Sequence, residues 1–276
     1  MSNQESNMRT VISPKGEKRL LVVLGGGESG VGAAILGKQK GFEVFVSDKG
    51  RIAEKYKEVL LQNNINFEEE KHTESKILKG TVVVKSPGIP DSIPLVLKLK
   101  EKGIGVISEI EFASKYTTAT LVGITGSNGK TTTALLTQFI LKNAEINSGI
   151  AGNIGDSFAL QVARQSYDNY VLELSSFQLD GIVDFNSHIA ILTNITPDHL
   201  DRYEDDFNKY IESKFRITKN QTASDYLIYD ADDEAINTWL QKNSTKATLI
   251  PFSLEKQLKH GAFIKDDNII ININKE

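Results

Sequence analysis

Lys130 lies in the run Gly126-Ser127-Asn128-Gly129-Lys130-Thr131-Thr132, between an apolar stretch and a helical one. In such a glycine loop backbone N–H groups cradle phosphates, a lysine amine pairs with the β and γ oxygens, and a threonine hydroxyl reaches Mg²⁺. The loop departs from G-x-x-x-x-G-K-[ST], because Ile124 holds the first glycine's position. It reads as a P-loop variant, with all seven residues as ATP-binding candidates. The plainer alternative is a glycine turn carrying a solvated lysine.

Three more residues extend this chemistry. Glu173 closes the apolar run Tyr170-Val171-Leu172-Glu173. A carboxylate at the carboxyl end of a parallel strand can hold Mg²⁺ beside a P-loop, or can simply point to water. His199 sits in Thr196-Pro197-Asp198-His199-Leu200-Asp201, the loop after the next strand. There it is a metal ligand, a substrate contact or a packing residue. In the following helix Phe207, Tyr210, Ile211 and Lys214 fall at i, i+3, i+4 and i+7, on one face. Lys214 therefore lies on the apolar stripe. It either snorkels past that stripe or is a partly buried amine with a lowered pKa. A neutral amine can react with CO₂ to give a carbamate, itself a possible Mg²⁺ ligand.

A second glycine loop lies nearer the N-terminus, where Gly25, Gly27 and Gly30 fit G-x-G-x-x-G after a strand and before a helix. Such a loop lets a ligand phosphate approach the helix N-terminus, so Gly27, Glu28, Ser29 and Gly30 are candidates for a nucleotide-like ligand. Asp48 ends the next strand, where a ribose-binding acid would stand, and Lys49 follows it. A tight strand-to-helix turn without a ligand is the alternative.

The elements that must position these residues alternate. Apolar runs at 20–24, 43–48, 81–84 and 105–107 read as strands, with helices from the first glycine loop to 40 and at 94–102. The pattern restarts with strands at 120–125, 170–174, 188–193, 226–229 and 247–251, and helices from 130 to 143, at 205–219 and at 233–241. Residues 262–274 read as a hairpin turning at Asp266-Asp267-Asn268. Strands alternating with helices mean parallel sheets with right-handed crossovers. The expected fold is α/β: a Rossmann-like domain over 20–117, then a P-loop-type parallel-sheet ATP-binding domain over 118–276, preceded by a flexible extension at 1–19.

Composition sets the limits. Hydrophobic residues make 39% of the 276 and charged residues 25%, near the globular average. With 32 Lys plus Arg against 36 Asp plus Glu, the net charge is −4, so a nucleic-acid surface is not expected. Cys is absent, which removes disulfides, thiolate metal sites and thiol nucleophiles. No apolar run approaches the roughly 20 residues of a membrane span. A soluble, cytoplasmic protein without a membrane partner is expected.

The loop 126–132, Gly152-Asn153-Ile154-Gly155, the stretch 173–179 and the stretch 194–203 together resemble the Mur ligase family. Ser86-Pro87-Gly88-Ile89 and Ser108-Glu109-Ile110-Glu111-Phe112 add to the likeness, which runs from about Leu20 onward. The resemblance implies an ATP-dependent amide ligase of peptidoglycan precursor synthesis, joining D-glutamate to UDP-N-acetylmuramoyl-L-alanine through an acyl-phosphate. It implies that the first domain binds the uridine nucleotide, with Ser86 among its contacts, and that Asn153 contacts substrate. It implies that Lys130 meets the γ-phosphate, that Thr131 and Glu173 hold one Mg²⁺, and that His199 with carbamylated Lys214 helps to hold a second. Lys130, His199 and Lys214 are thus the catalytic candidates, and a monomer is expected. The family's third domain and its later Gly-x-His-Asn helix have no counterpart in the 276 residues, so a fragment that binds without ligating is expected. The competing readings are a P-loop ATPase or kinase with an accessory Rossmann-like domain, and a non-catalytic nucleotide-binding module.

Overall fold

The computed structural model describes residues 19–273; most of the expected N-terminal extension and the last three residues lie outside them. The chain forms two compact units that are not contiguous in sequence. The first comprises residues up to Thr118 with Gly155–Ser166 and Gly181–Phe185, and the second comprises Ala119–Ile154, Tyr167–Asp180 and residues from Asn186 onward.

In the first unit, strands β1 (Leu20–Leu24), β2 (Glu43–Ser47), β3 (Asn66–Glu68), β4 (Val82–Lys85) and β5 (Gly105–Ile107) form a parallel sheet in the order β3-β2-β1-β4-β5. Its helices are α1 (Glu28–Gln39), α2 (Glu54–Gln62), α3 (Glu74–Ile77), α4 (Pro94–Glu101), α5 (Glu109–Ser114) and, from the excursion at 155–166, α7 (Phe158–Arg164). β1 is almost wholly buried, which explains its continuous apolar run. Val22, Leu24, Val83 and Leu99 form one core cluster against one face of the sheet.

The second unit opens with β6 (Thr120–Thr125) and α6 (Lys130–Asn143). It continues through β7 (Ser148–Gly152), β8 (Asn169–Glu173), α8 (Ser176–Asp180), β9 (Ile189–Leu192), α9 (Phe207–Phe215), β10 (Tyr226–Asp230), α10 (Glu234–Lys242), β11 (Thr248–Ser253), β12 (Gly261–Lys265) and β13 (Asn268–Asn272). The sheet order is β13-β12-β11-β10-β9-β6-β8-β7. Every pairing is parallel except β12 with β13, the expected hairpin. The α/β architecture with two parallel sheets is therefore the one expected from the alternation. β3, β7, the helix α2 and the short helices α3, α5, α7 and α8 were not evident in the sequence. Among the described residues no helix is long and apolar enough to cross a membrane.

Two carboxylates on α5 show how the first unit gathers its excursions. Glu111 Oε2 accepts the N–H groups of Val183, Asp184 and Phe185 at 2.9, 3.0 and 2.8 Å, and Lys115 lies 2.8 Å from Oε1. The buried charge of Glu111 is thereby compensated. Glu109 is equally buried, but only one oxygen is bonded, to the Ala159 N–H at the start of α7. Burial pushes its carboxyl up to about 8, the Ala159 bond opposing this and the charge of Glu28 adding to it. An acid with a raised folded pKa stays protonated in the fold while the unfolded chain ionises, so stability falls as pH rises from about 4.5 to about 8. Glu109→Gln keeps an acceptor for Ala159 and cannot ionise. Thermal denaturation across pH 4 to 9 is expected to show the variant gaining on the wild type toward alkaline pH, and parallel curves would contradict the buried, unpaired acid.

Candidate active site

The phosphate loop follows β6 and ends on α6, whose N-terminus is Gly129 with φ +80°. Gly126 adopts φ +149°, and a Cβ there would stand 1.9 Å from Thr193 Oγ1, so both conformation and space demand glycine. The strict motif's first glycine is replaced by Ile124 because that position is still inside buried β6, pairing with Glu173 and Ile191.

Two lysine amines meet at this loop. Lys130 Nζ donates to the carbonyls of Gly126 and Ser127 at 3.0 and 2.9 Å. Lys214 Nζ donates to the same Gly126 carbonyl at 2.7 Å and lies 4.5 Å from the centroid of the Tyr210 ring. Lys214 is 2% exposed, so α9 buries this amine on its apolar face instead of letting it snorkel. Burial first, and the neighbouring Lys130 charge second, lower its pKa to about 7, with Asp198 and Asp180 opposing.

On the other side of the loop Glu173, at the end of β8, is 2% exposed. Its Oε2 accepts the Thr131 hydroxyl at 2.7 Å and its Oε1 accepts the Asn153 amide at 2.9 Å. A hydroxyl and a buried carboxylate are hard oxygen donors of the kind Mg²⁺ takes, so this pair fits the ion. Among the described residues no three His, Asp or Glu side chains form a ready metal cage. His199 lies on an exposed turn with φ 51°, its ring 5.3 Å from that of Phe177 and 3.5 Å from Asp198. It bonds neither Lys214 nor Glu173. The structure thus brings together Lys130 with Lys214, and Thr131 with Glu173 and Asn153.

Sequence reasoning missed the brace under the loop. Asn194 accepts the Ser127 N–H on its carbonyl and the Asn128 N–H on its side chain, each at 2.9 Å. Thr196 donates its N–H to Ser127 Oγ at 2.9 Å and accepts that hydroxyl at 2.8 Å. These residues lie in the loop just after β9, and only the place of β9 beside β6 could have signalled the contact.

In the first unit the other glycine loop lies beside the carboxyl ends of β1, β2 and β4, the crevice where open α/β sheets bind ligands. Gly25 has φ +100°, and a Cβ there would clash with Ser86. Gly27 precedes α1, with Glu28, Ser29 and Gly30 in its first turn. Asp48 accepts the N–H groups of Gly26 and Gly50 at 2.6 and 2.7 Å, so it organises both glycine segments. Lys49 is exposed beside it. Behind it, Ser47 and Glu68 form a buried bonded pair with Thr73 and His72, which no sequence signal revealed.

The fold and the loop define an α/β protein with a P-loop-like turn between a buried strand and a helix, and the comparisons make the class specific. The family model of the Mur ligase middle domain matches residues 124–272, and that of the MurD N-terminal domain matches 21–93. The chain belongs to the Mur ligase family. It is 60% identical over 254 residues to the UDP-N-acetylmuramoylalanine–D-glutamate ligase of Christiangramia forsetii, covering 92% of this chain and 57% of that protein. It is 54% identical over 251 residues to the ligase of the same name from Bacteroides fragilis, covering 91% and 56%. The chain therefore spans little more than half the length of these relatives. Among solved structures, the UDP-N-acetylmuramate:L-alanyl-gamma-D-glutamyl-meso-diaminopimelate ligase from Neisseria meningitides superposes with a TM-score of 0.63 at 19% identity, covering 92% of this chain and 84% of that one. The UDP-N-acetylmuramate-alanine ligase of Thermotoga maritima gives 0.53 at 19% identity, covering 86% and 53%. At these identities the likeness shows the shared fold.

The lowered pKa of Lys214 has a consequence for stability. The folded amine releases its proton near pH 7 and the unfolded one near 10.5. Between these values the unfolded chain binds more protons, so the cost of burying the charged amine is full below about 7 and fades as pH rises toward 10.5. Denaturant unfolding from pH 7 to 10 is expected to show the wild type gaining stability relative to Lys214→Met. An unchanged difference between the two would mean that the amine is not held neutral.

Proposed function

We propose that the chain is the nucleotide- and UDP-substrate-binding part of an ATP-dependent ligase that joins D-glutamate to UDP-N-acetylmuramoyl-L-alanine. The observation that carries the reading is the loop at 126–132, where two lysine amines meet at the Gly126 carbonyl and Thr131 pairs with Glu173, an arrangement that would receive a triphosphate. The names of the relatives and the family's ATP dependence support it. The first unit's glycine loop, with Asp48, Lys49 and Ser86, would take the uridine nucleotide, and Asn153 would contact substrate. The protein would work in the cytoplasm as a monomer, without nucleic acid or membrane.

The chemistry is acyl activation. The substrate's terminal carboxylate attacks the γ-phosphorus of ATP, giving an acyl-phosphate and ADP; the amine of D-glutamate then attacks the acyl carbon, and phosphate leaves with loss of the amine proton. The obstacle is electrostatic, since a carboxylate must approach a triphosphate. Lys130 would swing from the loop carbonyls to the γ-phosphate, exchanging neutral acceptors for a charged one. Backbone N–H groups of the loop would hold the remaining phosphate oxygens. Thr131 and Glu173 would hold Mg²⁺, which supplies charge neutralisation when bound. Lys214, with its pKa lowered to about 7, has near neutral pH a substantial share of the uncharged amine that CO₂ converts to a carbamate. As a carbamate it would add a carboxylate for a second Mg²⁺, with His199 as its partner.

Lys130→Ala is expected to weaken ATP binding by more than about tenfold, the scale of a lost charge-assisted contact, and to leave UDP-substrate binding intact. Isothermal titration with each ligand decides it; equal losses would mean that the loop is structural. Bicarbonate is expected to strengthen Mg²⁺-dependent nucleotide binding in the wild type and not in Lys214→Met. The same response in both would remove the carbamate from the reading.

A further inference from the structure

We infer that Asp233 is a positioning residue for the phosphate loop, acting through the backbone of Ile195; the inference rests on the nucleotide-binding reading of that loop. Asp233 lies outside every motif on which the function draws. Its Oδ1 accepts the Ile236 N–H at 2.9 Å and so caps α10. Its Oδ2 accepts the Ile195 N–H at 2.8 Å, across 38 residues of chain. Capping requires one oxygen, and Asn or Ser would serve as well. The second oxygen does something the helix does not need.

Ile195 is the middle of the brace. On one side Asn194 holds the N–H groups of Ser127 and Asn128, and on the other Thr196 holds the Ser127 hydroxyl through both its N–H and its carbonyl. Ile195 makes neither of those contacts; its N–H goes to Asp233 and its side chain is buried, 3% exposed. A carboxylate accepting a backbone N–H makes one of the stronger hydrogen bonds available to a loop. Asp233 thus ties the turn that fixes Ser127 and Asn128 to the rigid start of α10. A site held on regular elements keeps its geometry better than one on a free loop, and small displacements of phosphate-binding groups are costly.

Asp233→Asn separates the two tasks. Its carbonyl oxygen can still cap α10, while its other terminal atom becomes an N–H₂ that cannot accept from Ile195. In the 276-residue chain, amide hydrogen exchange is expected to accelerate at Ile195, Ser127 and Asn128 and to stay unchanged at Ile236, with the melting temperature little altered. MgATP affinity, measured by titration, is expected to fall roughly tenfold. Asp233→Ala loses the cap too, so Ile236 exchange should then rise as well. Faster exchange at Ile195 with wild-type MgATP affinity would overturn the positioning role, as would unchanged exchange at Ser127 and Asn128. Absence of MgATP binding by the wild type would refute the nucleotide reading instead; the exchange at Ser127 and Asn128 would still decide whether Asp233 holds the brace.

Discussion

The carbonyl oxygen of Gly126 accepts two lysine amines at once, and much of the second unit's candidate site follows from that crowding. Two like charges on one acceptor repel, and one of the amines is almost wholly out of water. The conflict is relieved by lowering the proton affinity of the deeper amine, Lys214, whose burial is the larger cause. The shallower Lys130 is left half-buried on the carbonyls of Gly126 and Ser127. The arrangement needs the carbonyl to stay where it is, and Gly126 is packed so closely on Thr193 and Asn194 that no side chain fits there.

Everything around that carbonyl is fastened to a regular element. Lys214 comes from α9, Glu173 from the end of β8, Asn153 from just beyond β7, and the brace at 194–196 from the end of β9. The parallel order β9-β6-β8-β7 is what makes these carboxyl ends neighbours. Glu173 then links the last two strands to the first turn of α6, because one oxygen takes Asn153 and the other Thr131. Glu173, Thr131 and Asn153 are bonded to one another before any ligand is considered, which limits the cost of burying the carboxylate.

The first unit solves a related problem with different means. Its glycine loop also opens a helix at a sheet edge, but the carboxylate beside it is spent on backbone N–H groups of Gly26 and Gly50. Asp48 therefore shapes the loop from the end of β2. The contrast between Glu109 and Glu111 obeys the same electrostatics. The carboxylate that receives three N–H groups and a lysine keeps its compensation, whereas the one with a single bond is pushed toward its neutral form.

Features that depend on near neighbours along the chain could be read from the residues alone. The apolar runs, the two glycine loops and the hairpin of β12 and β13 were legible because periodicity and turn residues act over a few positions. The burial of Lys214 was legible as one of two outcomes, since helical spacing puts it on the stripe with Tyr210 and Ile211. β7 was not legible, because Ser-Gly-Ile-Ala-Gly has little β propensity and becomes a strand only by pairing with β8. The folded packing settles which of the two outcomes Lys214 takes, and it alone joins Asp233 to Ile195, Glu173 to Asn153, and Glu111 to residues 183–185. Those partners lie between 20 and 74 positions apart, at distances over which sequence carries no spacing rule. A hydrogen bond or a desolvated charge is set by what the folded sheet brings beside it, and that neighbour is chosen by topology.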